Sequence, residues 1–168
     1  MKLAIFGATG RMGQAITRLA HASNDLQIVG GICSDQDAGL GKDMGEIAGI
    51  GQLGVVTTAD IASGLLGAEV VIDFSTASAV VPLLSVAARQ KIAVVSGTTN
   101  IDEAAKKAFD KAAQTVPVMW APNMSLGVQV LSELVQHAVK RLGPAFDVEI
   151  TEIHHRKKID SPSGTAKR

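Results

Sequence analysis

Short, wholly apolar runs alternate along this chain with stretches in which apolar residues recur every three or four positions. The first kind reads as buried strand, the second as amphipathic helix. KLAIF (Lys2–Phe6) opens the series as a strand, and Arg11–Ala22 follows as a helix with Met12, Ile16 and Leu19 on one side. LQIVGGI (Leu26–Ile32) is a second strand, GVVTT (Gly54–Thr58) a short third, and Ala59–Leu66 a short helix. EVVIDFST (Glu69–Thr76) is a buried strand, Ala79–Gln90 a helix, and IAVVSGTTN (Ile92–Asn100) a strand running into a turn. Asp102–Gln114 carries its acids first and its lysines later, as a helix dipole prefers. PVMWAPNMS (Pro117–Ser125) is another strand and loop. Ser125 then caps a helix over Leu126–Leu142, Gly143-Pro144 ends it, and Phe146–Ile153 alternates as a last strand. Strands and helices alternating through short connections predict a Rossmann-like α/β fold: a doubly wound, mainly parallel sheet with helices on both faces. Ser34–Gly54 breaks the rhythm as a long, glycine-dotted loop, of the length that is functional or mobile in a compact domain.

Composition narrows the classes. Sixteen basic side chains balance 16 acidic ones, so bulk charge draws the chain neither to nucleic acid nor to a membrane surface. No apolar run reaches spanning length, and the first strand runs into glycine too early to be a signal peptide. A single cysteine, Cys33, excludes an internal disulfide and fits a reducing, cytoplasmic setting. His154 and His155 are adjacent and not at a metal-ligand interval, so no metal site is expected.

Two stretches carry chemistry. The first is GATGRMG, with Gly7, Gly10 and Gly13 between a strand and a helix, the setting a dinucleotide-binding fingerprint requires. Gly7 permits the turn, Gly10 lets backbone approach a pyrophosphate, and Gly13 lets the helix lie close to the strand. The spacing is GxxGxxG, which also suits a plain tight turn. In this fold an acid at the end of the second strand bonds the ribose hydroxyls of NAD, whereas basic groups accept the phosphate of NADP. Here that strand ends Cys33-Ser34-Asp35, with Arg11 as another group that could reach a phosphate, so NADH, NADPH or both remain open.

The second is EITEIHHRKKIDSPSGTA (Glu149–Ala166): two histidines, a run of cations, an Asp-Ser-Pro turn and a Ser-Gly-Thr segment. Histidines move protons, cations hold acidic substrates, and backbone amides at a helix start seat an anion. Taken alone, His-Lys-Arg runs are as often solvated surface. As a whole the string closely resembles the signature of the 4-hydroxy-tetrahydrodipicolinate reductases (dihydrodipicolinate reductases), matching E-I-x-E-x-H-H-x-x-K-x-D-x-P-S-G-T-A at every fixed position.

The resemblance implies a nicotinamide-dependent reductase of lysine and diaminopimelate synthesis acting on a small cyclic dicarboxylate. Cofactor contacts would come from Gly7, Ala8, Thr9, Gly10, Arg11 and Met12, from the Gly97-Thr98-Thr99 turn, and from Ala121, Pro122, Asn123 and Met124. His154 takes the family's proton-donor position and Lys158 its second catalytic position; His155, Gly164 and Thr165 stand at its substrate-carboxylate positions. The family pairs an acid with a base where this chain has Cys33-Ser34. The resemblance further implies residues 1–124 as a dinucleotide-binding domain and 125–168 as the start of a substrate-binding, tetramer-forming domain that continues beyond Arg168. A nucleotide-binding module without turnover is the alternative. Short-chain dehydrogenases are excluded by the absence of tyrosine, and semialdehyde dehydrogenases by the position of Cys33.

Overall fold

The computed structural model describes residues 1–154, 156, 163, 165 and 166, which form two compact units, Met1–Trp120 and Ala121–Arg168. The first unit is a six-stranded sheet of order β3-β2-β1-β4-β5-β6, parallel throughout. Its strands are β1 (Lys2–Phe6), β2 (Gln27–Ile32), β3 (Thr57–Thr58), β4 (Val70–Asp73), β5 (Ala93–Ser96) and β6 (Val118–Trp120). Its helices are α1 (Arg11–His21), α2 (Met44–Ala48), α3 (Ile61–Gly64), α4 (Ala77–Gln90) and α5 (Glu103–Ala113).

Alternation along β1 explains the layering. Leu3 and Ile5 pack with Ala8, Ala20 of α1 and Met44 of α2 on one face. Ala4 and Phe6 pack with Val80, Leu83, Leu84 and Ala87 of α4 and Phe109 of α5 on the other. A strand whose successive side chains point to opposite faces, both covered by helices, has to be apolar throughout, as KLAIF is. The Phe109 ring stacks on Trp120 at 5.7 Å, tying α5 to the edge strand β6.

The long loop expected over Ser34–Gly54 is corrected in part, because it contains α2. Asp43 caps that helix: Oδ1 accepts from the amides of Gly45 (2.8 Å), Glu46 (3.3 Å) and Leu53 (2.9 Å), and Oδ2 from those of Gly54 (2.7 Å) and Val55 (3.2 Å). Such bonds, Leu53's foremost, hold the Asp43 carboxyl below its ordinary value. They also split the expected third strand. Val56 bridges antiparallel to Asp43, leaving only Thr57–Thr58 to join β2.

The second unit contains α6 (Leu126–Leu142), capped by Ser125 Oγ on the Val128 amide, and a single 3-10 turn over Gly143–Ala145. The strand expected over Phe146–Ile153 does not form. Its alternation is present, but Val148 (55 % exposed), Ile150 and Ile153 lie open, and among the described residues no neighbouring strand supplies the ladder that extended backbone needs.

Candidate functional site

The turn after β1 is fixed from two sides. The amides of Gly7 and Ala8 both donate to the Ile32 carbonyl (2.9 and 3.0 Å), and the Gly10 amide donates to the Gly7 carbonyl (3.1 Å). Gly7 has φ +79°, and a Cβ there would stand 2.6 Å from the Phe74 carbonyl oxygen. A Cβ at Gly13 would meet the Gly7 carbonyl oxygen at 2.2 Å, so glycine is what allows α1 to lie against the turn. At Gly10 an added Cβ would stand 3.3 Å from the Gly7 carbonyl oxygen, a tight contact that a shift of a few tenths of an ångström relieves, so the fold asks less of this position than of Gly7 or Gly13. Gly10 caps α1 without a side-chain acceptor. The first-turn amides of a helix have no intrahelical partner and carry the positive end of its dipole, which makes this terminus a seat for an anion.

Asp73, fully buried at the end of β4, organises the neighbouring edge. Oδ1 accepts from the Ser75 amide (2.9 Å) and hydroxyl (2.6 Å), and Oδ2 from the hydroxyls of Ser96 (2.6 Å) and Thr98 (2.9 Å). The Gly97 amide donates to the Asp73 carbonyl at 2.8 Å, and the Trp120 indole donates to the Thr98 carbonyl at 3.0 Å. A Cβ at Gly97 would strike the Phe74 ring at 2.2 Å. Thr98 is therefore turned inward as a strut of the turn, while Thr99 is exposed.

Between the glycine turn, the segment after β2 and the start of α4 lies a cavity of about 630 Å³. Gly7, Thr9, Gly10, Cys33, Asp35, Phe74 and Ser75 are part of its wall. It opens at the carboxyl ends of β1 and β4, where the strand order reverses, the place at which doubly wound sheets bind ligands. Its volume suits a small molecule or half a dinucleotide. Among the residues expected to touch a cofactor, Gly7, Thr9 and Gly10 line the cavity. Ala8 is buried with its amide engaged, Arg11 and Met12 are exposed on the first turn of α1, and Gly97–Thr99 stand at the next strand end, outside the lining. Burial first, then the charge of Asp37, pushes the Cys33 thiol up, which keeps it protonated and unreactive.

In the second unit Asn123 works as a clip. Its Oδ1 accepts from the Ser125 amide (2.9 Å) and its Nδ2 donates to Thr165 Oγ1 (3.0 Å). Ala121 and Pro122 are partly buried there, and Met124 is exposed. Glu152 accepts from the Ser163 amide (2.7 Å) and hydroxyl, and one of its oxygens stands 3.8 Å from His154 Nδ1. Ser163 Oγ in turn accepts from the Ala166 amide at 3.1 Å. His155, Lys158 and Gly164 lie outside the described residues.

Sequence reasoning missed Asp43 and Asp37. Asp43 and Glu46 have the spacing of a capping box before a helix, which was a usable signal. Asp37, bonded to Thr9 Oγ1 at 2.8 Å, carried none beyond its place in an Asp-Ala-Gly turn. Among the described residues no helix is long and apolar enough to cross a membrane, and no cluster of metal-ligating side chains occurs.

Residues 1–124 match the family model described as dihydrodipicolinate reductase, N-terminus, and residues 127–168 the one described as dihydrodipicolinate reductase, C-terminus. The 4-hydroxy-tetrahydrodipicolinate reductase of an Anaeromyxobacter species is 45 % identical over 166 residues, covering 99 % of this chain and 61 % of that protein. The protein of the same name from Rhizobium rhizogenes is 44 % identical over 167 residues, with coverages of 99 % and 61 %. The chain thus spans about 61 % of the length of these curated relatives. Among solved structures, a dipicolinate-bound dihydrodipicolinate reductase from Paenisporosarcina sp. TG-14 superposes with TM-score 0.73 at 23 % identity, over 99 % of this chain and 63 % of that one, which shows a shared fold. A glycine turn under an open helix end, a ligand-sized hollow at the switch point of a six-stranded parallel sheet and matches along nearly the whole sequence converge: the chain belongs to the dihydrodipicolinate reductase family.

Proposed function

We propose that the protein is an NAD(P)H-dependent oxidoreductase that reduces 4-hydroxy-tetrahydrodipicolinate to tetrahydrodipicolinate in lysine and diaminopimelate synthesis, and that residues 1–124 hold its cofactor. The observation that carries this reading is the cavity at the β1/β4 switch point, beside a helix start that glycine leaves uncapped. The residues there fit a dinucleotide: Gly10 adds no side chain where a pyrophosphate would lie, and the amides of Arg11 and Met12 face an anion with the helix dipole behind them. The nicotinamide, when bound, supplies hydride for an unsaturated carbon of the cyclic dicarboxylate. Thr98 holds the Gly97–Thr99 turn in place through Asp73, so that its backbone and Thr99 can position the nicotinamide ribose. Ala121–Met124, a turn whose shape Asn123 holds, supplies further cofactor contacts in this reading.

In the signature, His154 donates the proton that completes the reduction, and Glu152 orients its ring. Lys158 offsets the negative charge that develops on the substrate, and His155, Gly164 and Thr165 receive a substrate carboxylate. The Thr165 hydroxyl, which accepts from Asn123, keeps its own hydrogen to donate. The whole protein works in the cytoplasm as a homotetramer, a setting that suits a chain whose single cysteine is buried and free.

The test is nicotinamide oxidation with freshly generated substrate, by this chain alone and by this chain joined to the C-terminal remainder of the Anaeromyxobacter relative. Substrate-dependent oxidation that His154→Gln abolishes is the expected result. A nucleotide-bound chimera that never oxidises its cofactor would contradict the proposal and leave a binding module.

A further inference from the structure

The cavity is unevenly charged. The wall contributed by the segment after β2 carries Asp35 and Asp37, and among the described residues no lysine, arginine or histidine lines it. Asp37 is pinned to the glycine turn, accepting from Thr9 Oγ1 at 2.8 Å and from the Gly39 amide at 2.7 Å. The Gly39 bond first, then the Thr9 bond, holds its carboxyl below the ordinary value, so it is charged throughout the neutral range. Asp35 is exposed and accepts the Ser34 hydroxyl through Oδ1 at 3.3 Å. Of the two cations nearest in sequence, Lys42 acts on Asp37, its charge adding to the lowering of that carboxyl, but neither it nor Arg11 lines this cavity. Arg11 is exposed on α1 and absent from the lining, and Lys42 lines a smaller hollow that shares Thr9 and Asp37 but adds Glu46.

The segment after β2 is where a doubly wound domain meets the ribose of the adenosine half. Carboxylates accept hydrogen bonds from free ribose hydroxyls, while a phosphate on that ribose would be brought against two like charges in a partly desolvated hollow. We propose that Asp35 and Asp37 are specificity-determining residues and that this wall selects NADH against NADPH. The inference rests on the cofactor reading above and settles which nucleotide the site prefers. It also accounts for Cys33-Ser34: the acid has moved two positions along, and no base accompanies it.

The experiment titrates NADH and NADPH separately into the 168-residue chain and into Asp35→Asn, Asp37→Asn and the double variant, following nicotinamide fluorescence. Asparagine at 37 keeps an acceptor for the Gly39 amide while removing the charge, and a thermal melt of each variant checks its fold. NADH should bind more tightly, by about tenfold or more. The ratio should narrow several-fold in each single variant and approach parity in the double. Raising salt should narrow it in the unsubstituted chain, which a purely steric preference would not do. Equal affinities, or tighter NADPH, would overturn the proposal while leaving the cofactor reading intact. A clear NADH preference that none of the substitutions moves would overturn the assignment to these residues. Binding of neither nucleotide would bring down the cofactor reading and this inference with it.

Discussion

Helices α4 and α6 are comparably rich in valine and leucine, yet they end in opposite conditions. Val80, Leu83, Leu84 and Ala87 of α4 are buried against the sheet. In α6 no residue is buried, and Leu126, Leu131 and Leu134 are 78 %, 59 % and 63 % exposed. Apolar periodicity therefore announces a helix in both places but says nothing about what covers it. The sheet unit is finished within Met1–Trp120, whereas the apolar side chains of the second unit, including Phe146 and Ile150, are not enclosed by the described residues.

This contrast can be pressed hardest at the glycines. Gly30→Ala sets a Cβ 1.9 Å from the Gly64 carbonyl oxygen, and Gly13→Ala one 2.2 Å from that of Gly7, both rigid backbone. Each should destabilise the sheet unit by about 3 kcal/mol or more, read as a fall in thermal midpoint. Gly127→Ala in α6, with nothing nearer than Ser125 Oγ at 3.9 Å, should instead leave stability unchanged or raise it by up to about 1 kcal/mol. A second comparison uses one chemistry at two sites. Leu83→Ala, at a position with no exposure, should cost about 2–5 kcal/mol, and Leu134→Ala less than about 0.5 kcal/mol. Equal losses at both leucines, in urea titrations, would mean that α6 is covered after all.

The pH dependence should also reside in the sheet unit. The folded-state values of Asp43 and Asp37 are depressed below the ordinary 3.8, so their contribution is present above that value. It is lost as pH falls from there through the folded values. Asp43→Asn should therefore be less stable than the parent at neutral pH, with the gap closing under acid conditions; a gap independent of pH would assign the effect to shape and not to charge. A small effect of the opposite sign belongs to Lys91, which closes α4 with φ +60°. Lys91→Gly should stabilise by about 0.5–1 kcal/mol, since glycine adopts that conformation without strain.

Much of this was legible beforehand. Period-two and period-3.6 patterns located the strands of the sheet unit and its helices apart from α2, because covered faces leave an apolar trace in the sequence. The glycine turn was legible because Gly7 and Gly13 answer steric demands and Gly10 completes the spacing. What stayed hidden was the work of the aspartates. Asp43, Asp73 and Asp37 collect amides and hydroxyls from distant segments, and a carboxylate partnered across the fold reads in sequence like any surface acid. That the Thr98 hydroxyl faces Asp73 was likewise not legible in the sequence. Phe146–Ile153 has strand-like alternation and no strand, since pairing depends on a neighbour that the local pattern cannot reveal.

The central claim is that the turn after β1 seats a nucleotide, and Gly10 tests it most directly because the fold tolerates a side chain there better than at Gly7 or Gly13. NADH should be titrated into the chain and into Gly10→Val while the thermal midpoint of each is recorded. The account predicts saturable binding to the unsubstituted chain and none to the variant, with midpoints close together. Undiminished binding to Gly10→Val would contradict it, placing the nucleotide away from the glycine turn.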